Sequence, residues 1–193
     1  MKPALCNELF KDRAFDEFCE DARREGFLGV ELDPATIEDD ALWSRMLRDS
    51  GVALVGFHWL FPRDSTLNLL AESDGVRTRS WDHVRAMADR CGSMGGSMLV
   101  LGSGPQRMGG NQEQERVARR FVEELRVFLE HADNCGTTLC LEPLPPSRTD
   151  FLNTLEEVAG IVRLVNHARF KAVFDFHNVG YESATWPQQL KAH

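Results

Sequence analysis

The sequence alternates short apolar runs with amphipathic segments, and this alternation limits the folds that the chain can adopt. Six apolar runs predict buried strands: Ala4 to Phe10, Gly29 to Leu32, Val52 to His58, Ser97 to Gly102, Thr137 to Glu142 and Lys171 to Phe176. The segments between them carry apolar residues at helical spacing, the longest from about Gln112 to Asn134 with Gly136 as its stop. Strands that alternate with helices form a parallel sheet through right-handed crossovers. The pattern therefore predicts an α/β fold, either an open doubly wound sheet or a (β/α) barrel.

The residues at the carboxyl ends of the predicted strands favour the barrel. Each run ends in residues capable of chemistry or just before a glycine-rich loop: Asn7-Glu8, Glu31, His58, Gly102-Ser103, Glu142 and Asp175-Phe176-His177. In a barrel these ends meet at one mouth, whereas an open sheet spreads them along a line. No G-x-G-x-x-G motif follows the first strand, which weakens the dinucleotide-binding alternative. We therefore predict one domain over residues 1–193 with the fold of a (β/α) barrel.

Composition and charge exclude several classes of partner. The net charge of -8 argues against nucleic acid or an anionic membrane surface, and no apolar run approaches the roughly 20 residues that span a bilayer. The five cysteines are odd in number and include no C-x-x-C pair, so neither a disulfide framework nor a zinc ribbon is expected. Free cysteines at apolar positions fit a reducing compartment, and we expect a cytoplasmic protein.

Glu142 is the strongest local signal for chemistry. It ends a buried strand, where a carboxylate is costly to desolvate unless a cation pairs with it. A salt bridge to a neighbouring arginine is the alternative explanation for a glutamate at this position. Asp175 and His177 end the next predicted strand, and positions i and i+2 of a strand share a face. Two carboxylates and a histidine suit a divalent ion such as Mn, Mg, Co or Zn. We therefore predict Glu142 and Asp175 as metal ligands and His177 as a residue that contacts substrate.

Further candidates for substrate binding follow the first three strands. His58 could place its imidazole over a substrate hydroxyl while Trp59 stacks on an apolar sugar face; the alternative is a core histidine bonded to a backbone carbonyl. Glu8 and Glu31 could hydrogen-bond substrate or orient a neighbouring ligand.

Arginines in two long predicted loops could bind an anion. Arg107 lies in the glycine-rich segment from Gly102 to Asn111, and Arg77 and Arg79 lie in the polar segment from Phe61 to Ser80. A guanidinium can bind phosphate or carboxylate bidentately, although a solvated loop charge is the alternative. A helix N-terminus near Gly109-Gly110 would add backbone N–H donors. We carry Arg107 forward as a substrate-binding candidate.

Several motifs in this order resemble the sugar phosphate isomerase/epimerase family of xylose isomerase-like TIM barrels, which also includes the endonuclease IV branch. The matching stretches are Leu5-Cys6-Asn7-Glu8-Leu9-Phe10, Gly29-Val30-Glu31-Leu32, Gly56-Phe57-His58-Trp59-Leu60, Leu101-Gly102-Ser103, Gln106-Arg107, Leu141-Glu142-Pro143-Leu144, Thr149-Asp150-Phe151-Leu152-Asn153-Thr154 and Asp175-Phe176-His177-Asn178. The resemblance implies an eight-stranded barrel with one divalent ion at its C-terminal mouth. It also implies that Glu142 binds metal and acts as acid/base, and that Asp175 is a second ligand.

The activity that the resemblance implies is isomerisation or epimerisation of a sugar or sugar phosphate. A glutamate would remove a proton next to a carbonyl, and a divalent ion would stabilise the enediolate. Many relatives place a histidine three residues after the aspartate, whereas here His177 stands at two and Asn178 at three. We expect about six βα units, with the seventh and eighth strands and their two further site residues missing from these 193 residues.

Two other functions stay open from the sequence. A phosphodiesterase of the endonuclease IV branch uses a metal cluster and normally needs a histidine after the fourth strand, where this chain has Gly102-Ser103-Gly104. A catalytically inactive barrel fragment or partner-binding domain is the other. An incomplete barrel leaves open sheet edges at its first and sixth strands, so we expect low solubility, homo-oligomerisation or an obligate partner.

Overall fold

Six parallel strands form one sheet whose spatial order follows the order of the chain. The computed structural model describes residues 3–10 and 12–192. The strands are β1 (Ala4–Cys6), β2 (Gly29–Leu32), β3 (Ala53–Phe57), β4 (Met98–Leu101), β5 (Thr138–Leu141) and β6 (Phe170–Ala172), paired in the order β1-β2-β3-β4-β5-β6. The register sets Cys6 beside Glu31, and Leu141 beside Ala172. Consecutive parallel pairing of this kind is the topology of a (β/α) barrel, of which six of the eight strands are present here.

Six α-helices connect and cover the strands. They are α1 (Phe15–Arg24), α2 (Asp40–Ser50), α3 (Asp74–Ser93), α4 (Gln114–Cys135), α5 (Leu155–Val165) and α6 (Trp186–Ala192). Short 3-10 helices lie at Asn7–Phe10, Pro34–Thr36, Gly104–Arg107 and Gly180–Thr185. The predicted long helix is confirmed as α4, and the predicted stop at Gly136 adopts the left-handed conformation with φ 70°. Among the described residues, no helix is long and apolar enough to cross a membrane.

Local sequence explains where α5 begins. The Thr154 side chain accepts a hydrogen bond from the backbone N–H of Glu157, and the Glu157 carboxylate accepts one from the backbone N–H of Thr154. This capping box satisfies two N–H groups that would otherwise lack partners. Since α5 leads directly into β6, the cap helps to fix the strand that precedes Asp175.

The core fills the space between the sheet and the helices with aliphatic and aromatic side chains. Trp81 on α3 packs against Phe121 and Phe128 on α4, with ring centroids 5.7 and 5.9 Å apart. Its indole Nε1 donates to the Glu124 carboxylate at 2.6 Å, which satisfies the polar end of a buried ring. At Gly56 a Cβ atom would lie 2.0 Å from the Met98 carbonyl oxygen, so only glycine lets β3 approach β4 this closely.

Two predicted strands are shorter than expected. The first predicted strand extended to Phe10, but β1 ends at Cys6 and Asn7–Phe10 forms a 3-10 helix. The sixth was predicted over Lys171 to Phe176, but β6 ends at Ala172. Both are end strands of the sheet and have a ladder partner on one side only, so fewer backbone bonds oppose a turn at their carboxyl ends.

The two end strands leave open sheet edges, as the sequence predicted. Leu9 follows β1 with 77% of its surface exposed, and Phe176 follows β6 with 61% exposed. Exposed apolar residues beside unpaired edges are consistent with a partner or a second copy of the chain that packs against these edges. Homo-oligomerisation stays a prediction.

Candidate functional site

A cavity of about 660 Å³ lies at the carboxyl ends of the strands. Seven of the eight predicted site residues line it: Glu8, Glu31, His58, Trp59, Glu142, Asp175 and His177. They come from the ends of β1, β2, β3, β5 and β6, so the strand order gathers residues up to 169 positions apart in the chain. The convergence on one mouth that the sequence predicted is present in the fold.

Glu142 and Asp175 meet on the side-chain amide of Asn178. Asn178 Nδ2 donates to Glu142 Oε1 at 3.0 Å and to Asp175 Oδ2 at 2.8 Å. Asn178 is 8% exposed, and it lies between the two carboxylates as a shared donor. The carboxylates therefore point to a common position at the mouth of the barrel.

The two acids have opposite pKa shifts. Burial raises the pKa of Glu142 to about 7; Asp175 raises it further, while the bond from Asn178 and the nearby Arg107 cation oppose the rise. Burial also raises the pKa of Asp175, but hydrogen bonds from Glu142 and from the backbone N–H groups of His177 and Asn178 hold it below its usual value. One carboxyl group thus stays ionised while its neighbour titrates near neutral pH, which separates their chemical roles.

The side chain of Asn178 contacts both acids, whereas His177 contacts Asp175 through its backbone N–H. The sequence left open whether His177 or Asn178 contacts substrate, and it placed Asp175 and His177 on one face of a strand. Because β6 ends at Ala172, that strand geometry is wrong; Asp175 and His177 lie in the turn that follows. The His177 ring is exposed, and its backbone N–H donates to Asp175 Oδ1 at 2.7 Å. His177 still borders the cavity, so its contact with substrate stays a prediction.

A second group of side chains surrounds His58. Its Nδ1 lies 3.2 Å from Glu31 Oε1, and its Nε2 lies 3.5 Å from Cys6 Sγ. Burial alone would lower the pKa of His58, but the hydrogen bonds to Cys6 and Glu31 outweigh it and raise the pKa to about 9. The alternative from the sequence, a core histidine on a backbone carbonyl, does not describe these contacts.

Trp59 is held in an unusual backbone conformation beside this group. Its φ of 51° is left-handed, which is uncommon for a large side chain. The indole Nε1 donates to Glu8 Oε2 at 2.8 Å, and the Arg63 guanidinium lies 5.5 Å from the ring centroid. Strained residues that are held by their neighbours concentrate at binding sites, where they fix a side chain in place.

Arg107 takes a position that the sequence did not predict. Its side chain is fully buried and does not line the cavity; Nη2 donates to the Glu142 backbone oxygen at 2.9 Å. Nε and Nη1 have no protein hydrogen-bond partner among the described residues. Burial lowers the pKa of Arg107 to about 10. The cation therefore lies behind Glu142, where it lowers the pKa of that carboxyl group, rather than at a surface loop open to substrate.

Arg77 and the Gly109 and Gly110 N–H groups, which were also predicted to bind an anion, have internal partners. Arg77 and Arg79 belong to α3, which begins at Asp74, and not to a loop. Arg77 is buried and pairs with Asp74 and Glu124. The N–H groups of Gly109 and Gly110 donate to the Asp150 carboxylate, both at 2.7 Å.

Cys6, Ser103 and Arg148 are among the cavity residues that were not sequence candidates. Cys6 is two positions before Glu8 at the end of β1, a pattern that could have been noticed. Ser103 has φ 46° in the glycine-rich loop after β4. Arg148 is an exposed loop residue with no distinguishing sequence pattern.

Comparison with known proteins agrees with the barrel geometry. The sequence profile of the xylose isomerase-like TIM barrel family matches residues 19–191. A search of curated proteins by sequence finds no significant match.

Solved structures share the fold at low sequence identity. The 3-keto-D-glucoside 4-epimerase YcjR from E. coli aligns with TM-score 0.81 and 17% identity over 100% of this chain and 74% of that one. D-psicose 3-epimerase with D-tagatose, from Clostridium cellulolyticum H10, aligns with TM-score 0.75 and 18% identity over 89% of this chain. The IolI protein, whose structure holds a zinc atom, aligns with TM-score 0.71 and 16% identity over 92% of this chain. This chain spans 62% of the psicose epimerase and 64% of IolI.

Proposed function

The chain belongs to the family of xylose isomerase-like TIM barrels, and on this basis we propose that it isomerises or epimerises a small sugar. Glu142 is the group that moves the proton next to the substrate carbonyl. Two of the similar structures are sugar epimerases, which supports this class of reaction.

The observation that carries the proposal is the paired environment of Glu142 and Asp175. A general base works best when its pKa lies near the working pH, and burial beside Asp175 brings the pKa of Glu142 to about 7. Asn178 holds both carboxylates in fixed positions through its two hydrogen bonds. Glu142 could therefore take a proton from a carbon next to a carbonyl and return it to the same or the neighbouring carbon.

The donor set at Glu142 and Asp175 fits a divalent cation. Two carboxylates converge on one amide in a half-buried site, and their mutual repulsion contributes to the raised pKa of Glu142. Glu142 and Asp175 would hold the ion, and hard oxygen donors suit Mg or Mn as well as Zn or Co. When bound, such an ion would withdraw charge from a substrate carbonyl and its adjacent hydroxyl.

The charge of the cavity favours an unphosphorylated sugar. Four acids face it, namely Glu8, Glu31, Glu142 and Asp175, against two cationic side chains, Arg148 and the protonated His58. The predicted phosphate ligand Arg107 is buried behind Glu142 and does not line the cavity. An acidic mouth repels a phosphate, and it disfavours the phosphodiesterase alternative for the same reason.

Exchange of substrate protons with solvent tests the proposal directly. We would incubate the purified chain with free and phosphorylated ketoses in D₂O, with added Mn, Mg, Co or Zn, and follow deuterium entry next to the carbonyl by NMR. We expect exchange with a free sugar, none with Glu142→Gln, and wild-type rates with Glu123→Gln, which changes an exposed glutamate on α4.

Two outcomes would contradict this assignment. Absence of exchange with every sugar and ion would reject the isomerase class for this chain. Undiminished exchange by Glu142→Gln would keep the class but remove Glu142 from its role.

A further inference from the structure

Cys6, Glu8 and His58 form a second cluster at the same mouth, at the ends of β1 and β3. Their ligand atoms all lie within 4.8 Å of one another. We propose that these three residues bind a borderline-soft divalent cation such as Zn²⁺, at a site separate from the Glu142–Asp175 pair. The proposal goes beyond the sugar chemistry above and does not depend on it.

The donor types and their spacing suit zinc. Zinc binds thiolate at about 2.3 Å and imidazole at about 2.0–2.1 Å, so tetrahedral coordination separates the sulfur and nitrogen by about 3.5 Å. Cys6 Sγ lies 3.5 Å from His58 Nε2. Sulfur, nitrogen and carboxylate oxygen together select Zn or Co over Mg, whereas Glu142 and Asp175 offer oxygen alone.

The Cys6 sulfur contacts both nitrogens of the His58 ring. Cys6 Sγ is almost equally far from His58 Nδ1, at 3.6 Å, and from Nε2, at 3.5 Å. The sulfur therefore does not lie in line with the lone pair of either nitrogen. Coordination of a shared ion would therefore require the Cys6 side chain to change its conformation.

Neighbouring side chains orient the proposed ligands as metal sites require. Metal-binding histidines usually offer their other ring nitrogen to a carboxylate, and here His58 Nδ1 faces Glu31 Oε1 at 3.2 Å. Glu8 Oε2 accepts a hydrogen bond from Trp59 Nε1 at 2.8 Å, which fixes that carboxylate as well. The three proposed ligands line the cavity together with Glu31 and Trp59, so a fourth coordination position would face substrate or water.

The chain carries an internal control for this inference. Asp89, His131 and Cys135 form another cluster of the same three donor types on the outer faces of α3 and α4. There, His131 Nε2 contacts the Asp89 oxygen itself at 2.8 Å, and Cys135 Sγ lies 3.2 Å from the Thr137 hydroxyl. Asp89 is exposed, whereas His58 is buried, and none of the three residues of this second cluster lines the cavity, so we expect no binding there.

Cobalt spectroscopy tests the site without any activity measurement. We would titrate Co²⁺ alone into the purified, reduced full chain and record the thiolate-to-cobalt charge-transfer band in the near ultraviolet. We expect the band in the wild type, its displacement by Zn²⁺, its loss in Cys6→Ser and its retention in Cys135→Ser. Glu31→Gln should weaken the affinity about 10–100-fold with the band still present, because Glu31 only orients His58.

The Glu142→Gln variant distinguishes cation binding at this site from activity at the proposed active site. The variant should keep the charge-transfer band even where it abolishes solvent exchange of substrate. The inference is overturned if the wild type gives no band, if Cys135→Ser abolishes it while Cys6→Ser keeps it, or if the band disappears with Glu142→Gln. Circular dichroism of Cys6→Ser and of a second ligand variant, His58→Gln, would show whether the fold is retained when the band is lost.

Discussion

Gly102 is the position at which the smallest change should displace the proposed catalytic carboxylate. A Cβ atom at residue 102 would lie 2.3 Å from Glu142 Oε2, whereas ordinary contacts begin at 3.4 Å. In Gly102→Ala the oxygen must therefore move by about 1.1 Å. Since Glu142 Oε1 is 3.0 Å from Asn178 Nδ2, a shift of this size breaks or weakens the bond that holds the carboxylate.

The expected effect is on function and not on stability. A misplacement of about 1 Å can lower a rate roughly 100-fold, so we expect a loss of this order in the solvent-exchange rate. The atom that must yield is the far end of a flexible side chain, and φ at Gly102 is not in the positive region. We therefore expect the free energy of unfolding to change by less than about 1 kcal/mol.

Gly109→Ala is the matched control for this experiment. Its added Cβ would meet nothing closer than Asp150 Oδ1 at 3.6 Å, an ordinary contact. It should resemble the wild type in exchange rate, in Mn²⁺ affinity measured by calorimetry and in denaturant melts. A Gly102→Ala protein with wild-type exchange and affinity would refute the placement of Glu142, and one that fails to fold would refute the steric argument.

Three further predictions concern individual side chains. Asn178→Ala should raise the pKa of Glu142 above about 7 because the amide donates to that carboxylate; an NMR titration of chelator-treated protein that finds no rise would contradict this. Above pH 9 the buried Cys91 thiol, with its pKa raised from 9.0 to about 12 by burial, should remain neutral in the fold and ionise only in the unfolded chain. The contribution of the neutral Cys91 thiol to stability is complete below pH 9 and is lost between pH 9 and pH 12, at about 1.4 kcal/mol per pH unit. The free energy of unfolding, measured by denaturant melts at several pH values, should therefore fall more steeply with pH in the wild type than in Cys91→Ala. An equal fall with pH in the two proteins would contradict this. Thr154→Ala should cost about 1 kcal/mol of stability through loss of the N-cap, with Thr154→Ser close to wild type and the exchange rate unchanged in both.

The sequence predicts the fold well because a repeated βα pattern has few solutions. Apolar runs marked all six strands, and Gly29–Leu32 was predicted with its observed bounds. The location of Glu142 and Asp175 after neighbouring strands also predicted that the two acids lie close together, since parallel strands bring their carboxyl ends to one mouth. None of this required knowledge of side-chain contacts.

The details that the sequence could not supply depend on long-range contacts. Arg107 belongs to a glycine-rich segment that predicts an exposed loop, yet the loop folds inward and its arginine bonds to the backbone of Glu142, 35 residues away. The helical start of α3 at Asp74 was hidden within a segment that is polar on average. The contact of the Asn178 side chain with both acids also needed the structure, because β6 ends at Ala172 and the strand spacing assumed for Asp175 and His177 does not apply.

The two carboxylates at the mouth differ in how firmly the sheet holds them. Glu142 follows β5, which pairs with strands on both sides, and its backbone N–H donates to the Leu101 oxygen at 3.1 Å. Asp175 follows the end strand β6, and the Val173 N–H bond to the Leu141 oxygen at 2.9 Å extends the pairing of that strand just past Ala172. Asp175 is positioned instead by the local bonds from His177 and Asn178 to its own carboxylate. A cation that joined Glu142 to Asp175 would therefore tie an end strand to the firmly paired part of the sheet, so that ion binding and ordering of the open edge would stabilise each other.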